Sequence, residues 1–83
     1  MPKLRILSGD AVCKILALHG FAEKRRKGSH IVMQCVITTK NEDGEEVTRT
    51  ITVIVPDHDE VKTGTLASII RQSELKRELF ETK

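Results

Sequence analysis

The run from His30 to Thr39 constrains this chain more than any other stretch. It is rich in Ile, Val, Met and Thr, residues whose side chains suit a pleated, half-buried surface. Alternation assigns Ile31, Met33, Cys35 and Ile37 to one face, and His30, Val32, Gln34, Val36 and Thr38 to the other. The first set is the drier and is expected to face a core. The loop 40–45 contains Asp43-Gly44, a strong hairpin signal. Val47 to Val55 then returns with the same period, Ile51, Val53 and Val55 pointing inward, until Pro56 stops the strand. A hairpin with one dry face must be covered, and the rest of the chain has to supply the cover.

Two helical patterns can do so. From Asp10 to His19 the apolar positions Val12, Ile15 and Leu16 recur at helical spacing, broadened by Ala11 and Leu18. Ser8 is placed to cap this helix, and Asp10 puts an acid in the first turn, where the helix dipole favours it. Gly20 fits the C′ position, with Phe21 folding back as the hydrophobic contact of a Schellman ending. A second helix is predicted to open near Thr63-Gly64-Thr65, with Thr63 as its cap, and to run through Leu66, Ile69 and Ile70. Leu75, Leu79 and Phe80 continue that stripe, with Ser73 as a break or cap. Residues 1–7 read as a lead-in. Phe21 to Lys27 is expected to be a charged edge strand, since Gly20 and Gly28 leave no room for a packed helix and charge discourages unwanted pairing. Gly28-Ser29 then makes a two-residue turn. The expected fold class is α+β: one domain over residues 1–83, a two-layer α-β-β-β-α sandwich with both helices on one sheet face. The other sheet face is left to solvent or to a partner.

Composition narrows the function classes. A chain of 83 residues can bury one small core but not a large cofactor. It has no Trp or Tyr, and only Phe21 and Phe80, so the core is aliphatic. The net charge of +2 does not by itself mark a nucleic-acid binder. The signs are segregated, however, with cations at 24–27 and acids at 42–46 and 57–60. Cys13 and Cys35 lie inside apolar patterns and read as small buried hydrophobes, since no spacing suggests a disulfide or metal pair. No apolar run reaches the length of a membrane span, and the first residues lack the apolar region of a signal peptide. A reducing cytoplasm is the expected compartment, with no metal or other cofactor.

The candidate chemistry gathers in one stretch. Lys24, Arg25, Arg26 and Lys27 form a local phosphate trap. Gly28 and Ser29 turn the chain, and His30 follows at the first position of a strand, on the open face. An imidazole titrates near neutrality and can give or take a proton there. A lone strand-end histidine is ordinarily solvated and idle. The adjacent cations, the turn and the parity are what set His30 apart. His58 stands between Asp57 and Asp59, but neighbours on an extended loop point to opposite sides, which fits a solvated loop better than a metal site. His19, in the last turn of the first helix, reads as structural. Ser29 and His30 are adjacent without a third partner, so no nucleophilic triad is indicated. Lys62-Thr63-Gly64-Thr65 could touch a phosphate but fits a helix cap better. Arg71, Lys76 and Arg77 read as solvated helix residues.

Four pieces then resemble one known family, the HicA (YcfA-like) toxins. They are Gly20-Phe21 after an amphipathic helix, Lys27-Gly28-Ser29-His30, the strand end Val53–Pro56 with His58 nearby, and Gly64-Thr65-Leu66 with Ile69 and Ile70. They occur in family order over about residues 8–80. Two features differ from many relatives: Ile31-Val32 follow the histidine where histidine and aromatic residues are often found, and the chain continues through 76–83. The resemblance implies a fold like the double-stranded-RNA-binding domain and the toxin of a type II toxin–antitoxin system. It implies a metal-independent endoribonuclease (an mRNA interferase) with His30 as catalytic histidine, held in check by a HicB-type antitoxin in a hetero-oligomer. Lys24, Arg25, Arg26, Lys27 and Ser29 would then bind RNA, and His58 is a candidate auxiliary proton carrier. Two other classes remain open from the residues alone. One is a non-catalytic RNA-binding module of the same fold, which needs the cations but no histidine. The other is an adaptor whose open sheet face binds protein.

Overall fold

The computed structural model describes residues 3–82. Helix α1 (Gly9–Leu18) begins as its sequence dictates: Ser8 is extended, and its Oγ accepts the Ala11 N–H at 3.1 Å. It ends on Gly20, whose φ of +96° is a conformation that favours glycine. The Gly20 N–H reaches the Ala17 carbonyl and the Phe21 N–H reaches that of Leu16, which is the Schellman pattern, and Phe21 turns into the core. Gly9 is glycine for a different reason. A Cβ there would lie 2.2 Å from the Pro56 carbonyl oxygen and 3.1 Å from the Asp57 Cα, so α1 enters in direct backbone contact with the chain leaving the sheet. Gly9→Ala gains up to about 1 kcal/mol of helix propensity. It is expected to lose about 1–3 kcal/mol to overpacking, because backbone lies in the way. Net destabilisation in a urea titration checks this; a variant as stable as wild type would contradict it.

Strands β1 (Ala22–Lys27), β2 (His30–Lys40) and β3 (Glu46–Pro56) form one antiparallel sheet in the order β1-β2-β3. The turn between β1 and β2 is Gly28-Ser29, with Gly28 at φ +58°. β2 and β3 pair along their whole length, from His30↔Pro56 to Lys40↔Glu46. β1 covers β2 only as far as Gln34, and its register slips between Glu23 and Arg25, leaving Lys24 as the extra residue of a bulge.

Helix α2 (Thr63–Ser73) packs beside α1 on the same sheet face. Val12, Cys13 and Leu16 of α1 and Leu66, Ile69 and Ile70 of α2 are buried against Ile31, Met33, Ile51, Val53 and Val55. The alternation expected of β2 and β3 is therefore the observed one, and the shortest dimension of the molecule, 19 Å, is a sheet plus one layer of helix. Three details differ from the sequence expectation, while Ser73 breaks and caps the helix as expected. Thr63 is the first residue of α2 and not its cap; the cap position belongs to Lys62, which makes no side-chain capping bond. Ser73 ends α2: its Oγ donates to the Ile70 carbonyl and accepts the Leu75 N–H, and Glu74 follows in the left-handed region. The apolar stripe beyond it does not continue as α-helix but tightens into one 3-10 turn, Arg77–Phe80, which buries Phe80 completely. The lead-in is also more than a lead-in. Leu7 is buried, and residues near Leu4 pair with those near Glu81. The Arg5 N–H donates to the Phe80 carbonyl, and the Thr82 N–H to that of Lys3.

Candidate functional site

The face of the sheet turned away from the helices carries the candidate residues in rows set by the register. Lys27, His30 and Pro56 lie across the first row, and Arg25, Val32 and Ile54 across the second. The bulge at Lys24 is what makes this so. Without it, strict alternation from Glu23, which pairs with Met33 on the helix side, would send Arg25 and Lys27 to the core face. With one residue inserted, both stand beside His30.

A groove of about 520 Å³ is lined by Arg25, Lys27, Gly28, Ser29, His30, Val32 and Ile54. A second, of about 440 Å³, runs from His30 and Ile54 past Pro56 to His58, Glu60, Lys62 and Thr65 at the start of α2. His30 and Ile54 line both, so the two form a continuous track with His30 in the middle. Cations stand at each end: Arg25 and Lys27 on β1, Lys62 before α2. The track can hold a chain of phosphates and present an exposed imidazole to it.

The predicted site residues divide between the two faces. Arg25, Lys27, Ser29 and His30 come together on the open face, and Lys24 is exposed on the bulge. Arg26 lies in register with Ile31 and turns to the helix side. There its guanidinium meets Asp57 at 2.9 Å, Glu23 at 3.2 Å and Asp10 at 3.5 Å. The hydrogen bond to Glu23, with the charges of Glu23 and Asp57, holds its pKa above the ordinary arginine value. His58, which reads from sequence as a solvated loop residue, is brought into the His30 track because β3 ends opposite His30 and the chain then turns toward α2. Lys62 and Thr65 enter by the same route. The signal for them was the hairpin itself: two arms of equal length around the loop at 41–45 put Pro56 across from His30. His19 is the exposed C-cap residue of α1 and lines neither groove.

A separate cleft of about 340 Å³ lies between α1 and β1, with Cys13, Phe21 and Met33 among its lining residues. Burial, then the neighbouring Glu23 carboxylate, pushes the Cys13 thiol up to about 11, so it is no nucleophile at neutral pH. Both cysteines are free. Among the described residues, no group of three or more His, Cys, Asp or Glu is placed to hold a metal ion. No helix of the described residues is long and apolar enough to cross a membrane.

The family model for the HicA toxin of bacterial toxin-antitoxin systems matches residues 9–75. The chain belongs to that family. No curated protein matches it. The HicA match runs from the first residue of α1 to just past α2 and includes every residue of the track. Membership makes this the toxin of a toxin–antitoxin pair, and so implies an antitoxin partner. The 3-10 turn with Phe80, and Leu7, lie outside the HicA match.

Proposed function

We propose that the protein is an endoribonuclease of the mRNA interferase type, acting on mRNA in the cytoplasm with His30 as its catalytic histidine. The observation that carries this reading is the place of His30: exposed, at the midpoint of a groove with cations at both ends. Lys24, Arg25 and Lys27 hold phosphates as point charges or forks, and the Ser29 hydroxyl serves as a further phosphate contact. Arg26, already engaged by three carboxylates, stands apart from this set.

RNA carries its own nucleophile, so the protein need only move protons and stabilise charge. A base takes the proton of a 2′-hydroxyl, the 2′-oxygen attacks the adjacent phosphorus, and the 5′-oxygen leaves with a proton from an acid. The products are a 2′,3′-cyclic phosphate and a 5′-hydroxyl end. His30 supplies one proton role, worth about 10²–10⁴ in rate. His58, on the same track, is the candidate for the other. The cations lower the barrier by meeting the charge that grows on the phosphorane oxygens. No step requires a metal, and a HicB-type antitoxin that covers the track would silence it.

End-group analysis of RNA incubated with the purified protein in EDTA tests the chemistry. Fragments ending in 2′,3′-cyclic phosphate and 5′-hydroxyl are expected. Fragments with 5′-phosphate ends, or cleavage only after a divalent cation is added, would contradict it. RNA bound in a salt-dependent way but left intact would mark a binding module instead.

A further inference from the structure

The geometry points to Arg26 and Asp57 as positioning residues, a strut beneath the sheet that fixes the part of the track around His30. The inference rests on the reading of His30 above. Asp57 directly follows Pro56, the cross-strand partner of His30. Its backbone N–H donates to the Ser29 carbonyl at 2.7 Å, extending the β2–β3 ladder one step past His30. Its carboxylate meanwhile accepts from Arg26 Nη1 at 2.9 Å. Arg26 belongs to β1, so this ion pair passes from one edge strand to the chain leaving the other, under the end of β2. His30 is on the opposite side of the same three-strand end.

The remaining bonds fix the strut to the helical layer. Arg26 Nη2 reaches Asp10 in the first turn of α1 at 3.5 Å and Glu23 of β1 at 3.2 Å. The Gly9 N–H donates to the His58 carbonyl at 2.8 Å, one residue beyond Asp57. The turn that carries Ser29 and the loop that carries His58 are thus tied to each other and to α1 around one guanidinium. Only arginine has a planar fork able to meet carboxylates from three elements at once.

Stability alone does not account for the arrangement, because exposed ion pairs contribute little to it. The side chains of Arg26 and Asp57 are 39% and 36% exposed. What the network controls is the placement of the turn, and a displacement of about 1 Å at a reacting group can cost about 10² in rate. The bulge at Lys24 turns Arg26 to the helix side, and the strut is what its guanidinium forms there.

The test compares Arg26→Gln, Asp57→Asn and Lys27→Ala with wild type in RNA cleavage over a range of salt. Amide hydrogen exchange is followed at Asp57 and His30 in the same proteins. Each strut variant is expected to lower kcat about tenfold while KM stays within about twofold. The salt dependence of RNA binding should not change, and the Asp57 amide should exchange about tenfold faster. Lys27→Ala should instead raise KM and reduce the salt slope by about one. Arg26→Gln behaving like Lys27→Ala, as a phosphate ligand would, overturns the strut. An unchanged kcat or unchanged Asp57 exchange overturns it too. Should wild-type protein leave RNA intact, the reading of His30 falls, and exchange then decides the strut alone: faster at Asp57 and His30 in Arg26→Gln supports it, and wild-type rates overturn it.

Discussion

Phe80→Ala is expected to unfold the protein or bring it close to unfolding. Phe80 is wholly buried, is one of only two aromatic residues, and closes the core from a 3-10 turn beyond α2. Removing a buried phenyl ring costs about 3–5 kcal/mol, from the lost transfer energy plus the cavity left behind. A chain of this length has about 4–12 kcal/mol of stability in total. The tail around Phe80 is also held by the Arg5 N–H on its carbonyl and by the pairing of Leu4 with Glu81, so the substitution loosens both termini together. At about 4–8 °C per kcal/mol, the melting temperature should fall by more than about 12 °C. Far-UV circular dichroism during a urea titration is the suitable probe, since the chain has no Trp or Tyr to report by fluorescence. A midpoint equal to wild type would show that the 3-10 turn is not part of the cooperative core. Phe80 lies outside the residues matched to the family.

His30→Ala should have the opposite profile, with a large loss of activity and almost no loss of stability. The imidazole is exposed at a strand end, and surface substitutions of this kind usually stay within about 0.5 kcal/mol. Removing a group that moves a proton in the transition state costs about 10²–10⁴ in rate. RNA binding should survive, because Arg25 and Lys27 remain in place. Expression of the variant should leave growth unaffected where wild type arrests it. Normal melting with lost cleavage separates a catalytic role from a structural one.

The long strands are legible in the sequence because a period of two with one dry face admits a single parity, and the equal arms fix the register. The helix entry at Ser8 and exit at Gly20-Phe21 are legible because each rests on one local hydrogen-bond pattern. Leu4, Leu7 and Phe80 are not, since Leu4 and Phe80 are placed by pairing between the two ends of the chain and Leu7 by the Val61 N–H on its carbonyl, contacts that no local period records. The run 24–27 hides most. Four consecutive cations show no alternation, so the bulge at Lys24 leaves no trace in the sequence, yet it decides that Arg25 and Lys27 face the groove and Arg26 the helices. His58 is singled out by the family resemblance alone: an acidic loop has no period, and only the sheet register carries it to His30. The role proposed for His30 rests on family resemblance joined to strand parity, and residue chemistry alone leaves enzyme and binding module both open.

The most direct test of the central claim is single-turnover cleavage of RNA in EDTA by wild type and by His30→Ala protein of matched melting temperature. Wild type is expected to cut, and the variant to be slower by about 10² or more while binding the RNA equally well. A folded His30→Ala protein that cuts at the wild-type rate would contradict the account.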